Sequence, residues 1–226
     1  MSGVEHEAIR RLLAGVRAYR ARYYERRPES MRQLVANGQK PQVLMIGCSD
    51  SRVDPAILTD AEPGEIFMVR NVANLVPPYQ PDQNYHGTSA AIEYAVKMLD
   101  VRHVIVLGHA RCGGIQGLIR IQEGDPPPGD FIAPWVSIAQ AACDRFLSQE
   151  GTEANGEKKA PGWLQGCPHL VERAAIQGSL DNLMSFPFVR DRVEDGRLHL
   201  HGWWFDLENG DLWTVDSTNR AFAPVF

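Results

Sequence analysis

At 226 residues, with 44% hydrophobic and 23% charged side chains, the chain is long enough for one substantial core and short for two full domains. Its formal charge of -5 excludes a general nucleic-acid binder, which needs a basic face for phosphate contacts. No uncharged run reaches the length of a membrane span, and the opening MSGVEHEAIRRLLAGVRAYRARYY is charged throughout, unlike a signal peptide. A soluble cytoplasmic protein with no nucleic-acid partner is the expectation.

In chain order, Ile9, Leu12, Leu13, Val16, Tyr19 and Tyr23 recur at helical spacing between Arg and Glu. This predicts an amphipathic helix whose apolar stripe covers the body of this subunit or a partner. Residues 30–37 read as a short second helix stopped by Gly38. The apolar run 42–47 suits a buried strand, and 65–70 is a second strand. Residues 90–99 form a helix capped by Thr88 or Ser89. The β-branched run 103–107 is the best-marked strand, and a helix over 113–121 follows.

Residues 124–130, rich in Pro and Gly, make a loop before a helix at 133–148; the polar stretch 150–161 reads as a mobile surface loop. A helix at 169–184 and strands at 197–204 and 211–215 complete the chain. Strands alternating with helices predict an α/β fold. The expectation is a single domain with a central, mostly parallel β-sheet flanked by helices, built as an N-terminal helical arm (1–38) and an α/β core (39–226).

Two motifs each follow a predicted buried strand: Cys48-Ser49-Asp50-Ser51-Arg52 and His109-Ala110-Arg111-Cys112-Gly113-Gly114. Ligands of open α/β sheets gather beyond the carboxyl ends of the strands, so neighbouring strands would bring Cys48, His109 and Cys112 together. Two thiolates and an imidazole suit zinc, and three ligands leave the open position of a catalytic site. Asp50 is the nearest candidate for a fourth ligand, and Arg52 can hold its carboxylate by a bidentate pair. Taken singly these features are weak: a Cys at a strand end is usually a small buried residue, and His-x-x-Cys is common by chance. Their joint occurrence favours the metal site. Cys143 reads as a packed core thiol and Cys167 as structural. Trp203 and Trp204 fill the core and an interface. His199 and His201 share a strand face, as packing or as a secondary metal site, and His6, His86 and His103 have no evident partner.

The two motifs resemble those of the β-class carbonic anhydrases. The similarity runs from about Gln39 to the C-terminus and includes Glu62-Pro63-Gly64-Glu65, Arg70-Asn71-Val72-Ala73-Asn74 and the segment from His86 to Val96. The resemblance implies one zinc per chain on Cys48, His109 and Cys112, an Asp50–Arg52 dyad, attack of zinc-bound hydroxide on carbon dioxide to give bicarbonate and a proton, and a homodimer or higher oligomer. One branch of the family closes its site with Asp as fourth ligand and typically has Trp three residues before the first Cys. Met45 stands there in this chain. Together with Gln39 and Val76-Pro77-Pro78-Tyr79, this makes it similar to the plant-like, open-site branch. In that branch Phe67, Val72 and Tyr94 match the wall of the carbon dioxide pocket, Gln39 a polar contact to substrate, and Gly113 a backbone N–H near it. The rival readings are a carbon disulfide-type hydrolase on the same scaffold and a non-catalytic zinc-binding or redox-sensing protein.

Overall fold

Apolar runs without polar alternation belong in a sheet covered on both faces. The computed structural model, which describes residues 3–126, 129–150, 166–215 and 220–226, puts them there. The chain divides into two units, Met1–Lys40 and Pro41–Phe226. In the first, α1 (Gly3–Arg20) runs into a π-helical turn, Ala21–Arg26, followed by α2 (Pro28–Asn37) with Pro28 in its first turn. Ile9, Leu12, Leu13, Val16 and Tyr19 of the predicted stripe are exposed.

The second unit holds a six-stranded sheet. Strands β1 (Val43–Cys48), β2 (Ile66–Asn71), β3 (His103–His109) and β4 (His199–Phe205) are parallel; β5 (Leu212–Val215) and β6 (Phe222–Pro224) add antiparallel. The order is β2-β1-β3-β4-β5-β6. Among the described residues, seven α-helices accompany it: α3 (Pro55–Thr59), α4 (Gly87–Glu93), α5 (Gly113–Gln122), α6 (Ile132–Val136), α7 (Gln140–Glu150), α8 (Pro168–Ser185) and α9 (Pro187–Glu194). The expected α/β class with a mostly parallel sheet is what forms. No helix among the described residues is long and apolar enough to cross a membrane.

Side chains alternate across a strand, and the core divides accordingly. Leu44, Ile46, Val104, Val106 and Trp204 pack with Ile92, Val96, Ile176 and Leu183. Met45, Ile105 and Leu107 pack with Val53 and with half-buried Leu58, Trp203 and Phe205. A third cluster joins Cys48 and Cys112 to Ile115, Leu118, Ile119, Cys143, Val171 and Ala175. Each large aliphatic side chain fully buried here contributes about 1.5–3 kcal/mol. Burial pushes the Cys143 thiol up to about 12, as befits an inert core group.

Several local expectations are corrected. The helix expected at 90–99 is α4 followed by a π-helical turn, Tyr94–Met98. Its N-cap is His86 without a side-chain cap, because the Thr88 hydroxyl instead accepts a hydrogen bond from Asn71 Nδ2 at 3.2 Å. The single helix expected at 133–148 is broken into α6, a 3-10 turn Ser137–Ala139, and α7. Helices α3 and α9 and strand β6 were not expected; α3 and α9 are short and begin at prolines. The loop expected at 150–161 lies, after Glu150, outside the described residues, as do positions 127 and 128 of the loop at 124–130.

Helix α8 lies close to the sheet and to α7 where glycines remove side chains. A Cβ on Gly202 of β4 would stand 2.7 Å from Val215 Cγ2 and 2.9 Å from Ile176 Cγ2, and one on Gly178 would stand 2.5 Å from Ala142 Cβ. Ala142 has no rotamer with which to retreat. Gly178→Ala is therefore expected to destabilise the fold by about 1–3 kcal/mol through overpacking, against the ~1 kcal/mol that helix propensity alone would add. A urea midpoint equal to or above wild type would contradict this packing.

Candidate metal centre

Strands β1 and β3 are neighbours, in register from Val43 opposite His103 to Gly47 opposite Leu107. Their carboxyl ends therefore lie side by side. Cys48 is the last residue of β1, His109 the last of β3, and Cys112 sits at the N-cap of α5. One donor atom from each falls within 4.8 Å of the others, and all three residues are buried. The two sulfurs are 4.0 Å apart. His109 Nδ1 lies 2.8 Å from the Ala110 carbonyl, to which its N–H donates. That contact selects the tautomer whose Nε2 carries the lone pair. Nε2 is buried without a hydrogen-bond partner, an orphan atom that a metal would satisfy. Two sulfurs and one imidazole nitrogen form the soft donor set of a zinc site with one position left open.

The cluster is electrostatically prepared for a cation. Cys48 is held well below the usual thiol range, because the Cys112 thiol shares its proton with it and His109 lies beside it. Cys112 is pushed up by that same neighbour and by burial. His109 is raised: burial opposes its charging, but the Cys48 sulfur, the Ala110 carbonyl and Asp50 outweigh it.

The Cys48 loop is clamped by arginines. Arg52 donates from its backbone N–H and Nε to Asp50 Oδ1, both at 2.9 Å, and from Nη2 to Oδ2 at 2.7 Å. These bonds hold the Asp50 carboxyl well below the usual carboxylate range despite partial burial. Asp50 Oδ2 stands 3.9 Å from His109 Nε2. Arg52 Nη2 also donates to the Arg111 carbonyl at 3.1 Å, tying the two motifs together. From β2, Arg70 donates to the carbonyls of Cys48 (2.8 Å), Asp50 (2.7 Å) and Val53 (3.2 Å) and to Asp54 Oδ2 (2.7 Å). Asp54 Oδ1 meanwhile caps α3.

The Cys112 loop has its own supports. Arg111 adopts φ 59°, a left-handed conformation unfavourable for a side-chain-bearing residue. It is held there by Glu208, which accepts from Arg111 Nη2 at 2.6 Å and Nε at 2.9 Å. Buried Glu172 of α8 accepts from the Cys112 backbone N–H at 3.2 Å and from the Trp204 indole N–H at 3.0 Å. Burial raises the Glu172 carboxyl, and those two donors oppose the shift. The Arg173 guanidinium lies 4.3 Å over Trp204 and 4.4 Å over Trp213, fixing the indole from its face.

A sequence model described as carbonic anhydrase matches residues 43–212. The chain belongs to the carbonic anhydrase family. It is 36% identical to Beta carbonic anhydrase 3 of Arabidopsis thaliana over 96% of this chain and 81% of that protein. The solved structure of the β-carbonic anhydrase CcaA superposes with a TM-score of 0.79 at 30% identity, covering 96% of this chain and 92% of the other. A structure from a study of two tetrameric β-carbonic anhydrases of the filamentous ascomycete Sordaria macrospora matches with a TM-score of 0.74 at 26% identity, over 92% and 97% of the two chains. The chain is thus an enzyme of the β class of carbonic anhydrases.

Of the other sequence-derived site residues in this carbonic anhydrase, Phe67 and Tyr94 are brought together, with ring centroids 5.7 Å apart. Exposed Val72 lies against the second motif, since a Cβ on Gly114 would stand 2.8 Å from Val72 Cγ1. Gly113 is the first residue of α5, and Gln39 lies in the N-terminal unit. Two histidines expected to lack partners have them: His86 pairs with Asp82 at 2.6 Å, and His103 meets His201 at 3.1 Å. Sequence reading did not assign Arg70, Glu172, Trp204 or Glu208 to the site. Arg70→Ala removes a donor from three carbonyls and from Asp54 Oδ2, leaving the Asp50 carbonyl with the Val53 N–H. It is expected to cost about 2–4 kcal/mol and to speed metal loss to a chelator, read by equilibrium unfolding and timed metal analysis. Unchanged stability and unchanged metal retention together would show that the clamp is dispensable.

Proposed function

We propose that the chain catalyses the reversible hydration of carbon dioxide to bicarbonate and a proton, with one zinc ion per chain held by Cys48, His109 and Cys112. The observation that carries this reading is the orphaned His109 Nε2 facing two sulfurs beside a carboxylate that Arg52 holds at 2.7 Å. Zinc, when bound, supplies the Lewis acidity that lowers the pKa of water and makes a nucleophile available near neutral pH.

The chain's own groups do the rest. The Ala110 carbonyl fixes the His109 tautomer. Asp50 is kept ionised by Arg52, so it accepts hydrogen bonds and does not donate them. Placed 3.9 Å from His109 Nε2, it takes a hydrogen bond from the attacking water and turns that water's lone pair toward the substrate. Val72 of this chain, with Phe67 and Tyr94 contributed by a second copy, forms the apolar wall for carbon dioxide, and the Gly113 N–H with the second copy's Gln39 holds the bicarbonate oxygens. The Asp50–Arg52 pair supports a reading of the chain as plant-like and open-site, in which Asp50 would stay with Arg52 when zinc is bound. Met45, fully buried and without an N–H, offers an anion no hydrogen bond there.

The reading extends to organisation. Residues 39–226 are one catalytic domain and residues 1–38 an arm. The exposed apolar residues of α1 cover a second copy, making a cytoplasmic homodimer or larger assembly, in keeping with the tetrameric relatives.

Stopped-flow hydration of carbon dioxide by metal-loaded protein tests the activity, with metal content measured alongside. Cys48→Ser and Cys112→Ser are expected to lose zinc, and full occupancy in both would refute the ligand set. Arg52→Ala is expected to keep zinc and lose about 10²-fold or more in rate; near-normal hydration by that variant would show that the Asp50–Arg52 pairing is unimportant.

A further inference from the structure

Three histidines that play no part in this chemistry stand together at the other end of the sheet. His103 opens β3 and His199 opens β4, directly opposite each other in the parallel register, and His201 follows two residues on. Successive odd positions of a strand share a face, so all three imidazoles emerge from one side of the sheet. His103 Nδ1 and His201 Nε2 are 3.1 Å apart, and the two rings have centroids 5.3 Å apart with planes inclined at 47°. The ring of His199 stacks on that of His103 at 5.4 Å and 28°. His199 is exposed, and the other two are half-buried.

The 3.1 Å separation has two chemical readings. One is a neutral imidazole N–H donating to its neighbour. The other is a pair of ligands: two nitrogens bound to one cation at about 2.0–2.1 Å stand about 3.0–3.4 Å apart. Passing from the first to the second needs no backbone movement and no net loss of protons, because the bridging proton is exchanged to the other nitrogen of the same ring. Burial and the neighbouring His103 and His199 push His201 down from the usual histidine range, which keeps it in the neutral form a metal requires.

We propose that His103 and His201 form a second site for a divalent transition-metal cation, with His199 completing it by rotation of its exposed side chain. An all-imidazole donor set selects Ni2+, Cu2+ or Zn2+ over Mg2+ and Ca2+, which take oxygen ligands. Six residues of extended chain separate His103 from His109, so the site lies about 20 Å from the Cys48–His109–Cys112 cluster. A cation there bridges the first residues of the two central strands, β3 and β4, and is independent of the hydration reaction.

The test uses the full-length, zinc-loaded chain without an affinity tag, incubated with nickel chloride and freed of loose metal by gel filtration. The expected result is one nickel per chain in addition to zinc, and a nickel-dependent rise in melting temperature. Both are lost in His103→Gln and in His201→Gln, while zinc content stays at the wild-type level. Uptake of no nickel by wild type, exchange of nickel for zinc without a second equivalent, or undiminished nickel in both variants would each overturn the site. A second measurement needs no variant: nickel should broaden the imidazole C2–H resonances of His103, His199 and His201 first. Broadening that begins at His6, His86 or His169 would overturn it as well.

Discussion

One guanidinium governs the geometry of the metal loop. Arg70 reaches from the end of β2 past the end of β1 and fills its donors with the carbonyls of Cys48, Asp50 and Val53 and with the Asp54 carboxylate. A planar fork with five donors can do this, and a lysine cannot. The chain between Cys48 and α3 is thereby fixed at both ends, and Asp50 has few conformations left in which Arg52 can hold it. The Arg52 bond to the Arg111 carbonyl then carries the constraint across to the second motif. The position of the soft donors is thus set by hydrogen bonds around them, half-buried at Arg70 and exposed at Arg52, before any cation contributes.

The two motifs differ in how they are secured. The Cys48 loop is held through its carbonyls by cations. The Cys112 loop is held through its amide by an anion, Glu172, whose second oxygen takes the Trp204 indole. A buried carboxylate without donors would cost several kcal/mol, and its two donors come from different elements, the metal loop and β4. Glu172 therefore makes the placement of Cys112 depend on the docking of α8 and β4. Arg111, at positive φ, is joined to Glu208 from beyond β4 by an exposed ion pair, a weaker second tie.

The strand ends carrying Cys48 and His109 were legible because long apolar runs in an α/β chain have few alternatives to a buried parallel strand. The Asp50–Arg52 pair was legible because its partners are two residues apart. Glu172 was not: in Leu170-Val171-Glu172-Arg173-Ala174 it reads as one turn of a helix showing a charged face, and only the fold reveals that Arg173 lies on aromatic rings and Glu172 on the metal loop. Arg70 was visible only as part of a family-like segment, since the carbonyls it binds belong to another strand. Thr88 looked like a helix cap but was captured by Asn71, a tertiary contact overriding a local preference. His103 and His201 are nearly a hundred residues apart, and no spacing rule connects them.

That last separation has a consequence for how the chain folds. Strands β1, β2 and β3 come from one continuous stretch, so Cys48 and His109 can meet after modest loop closures. Strand β4 must return to β3 across an intervening run that includes α5 to α9, the kind of non-local pairing that slows folding. Glu172 and Trp204 arrive only with that return. Cys48, His109 and Cys112 all lie within that earlier stretch, whereas the acceptor of the Cys112 amide, Glu172, lies in the later run. The donor set is therefore complete in sequence well before its support, and a chain lacking β4 would hold all three donors without the Glu172–Trp204 brace.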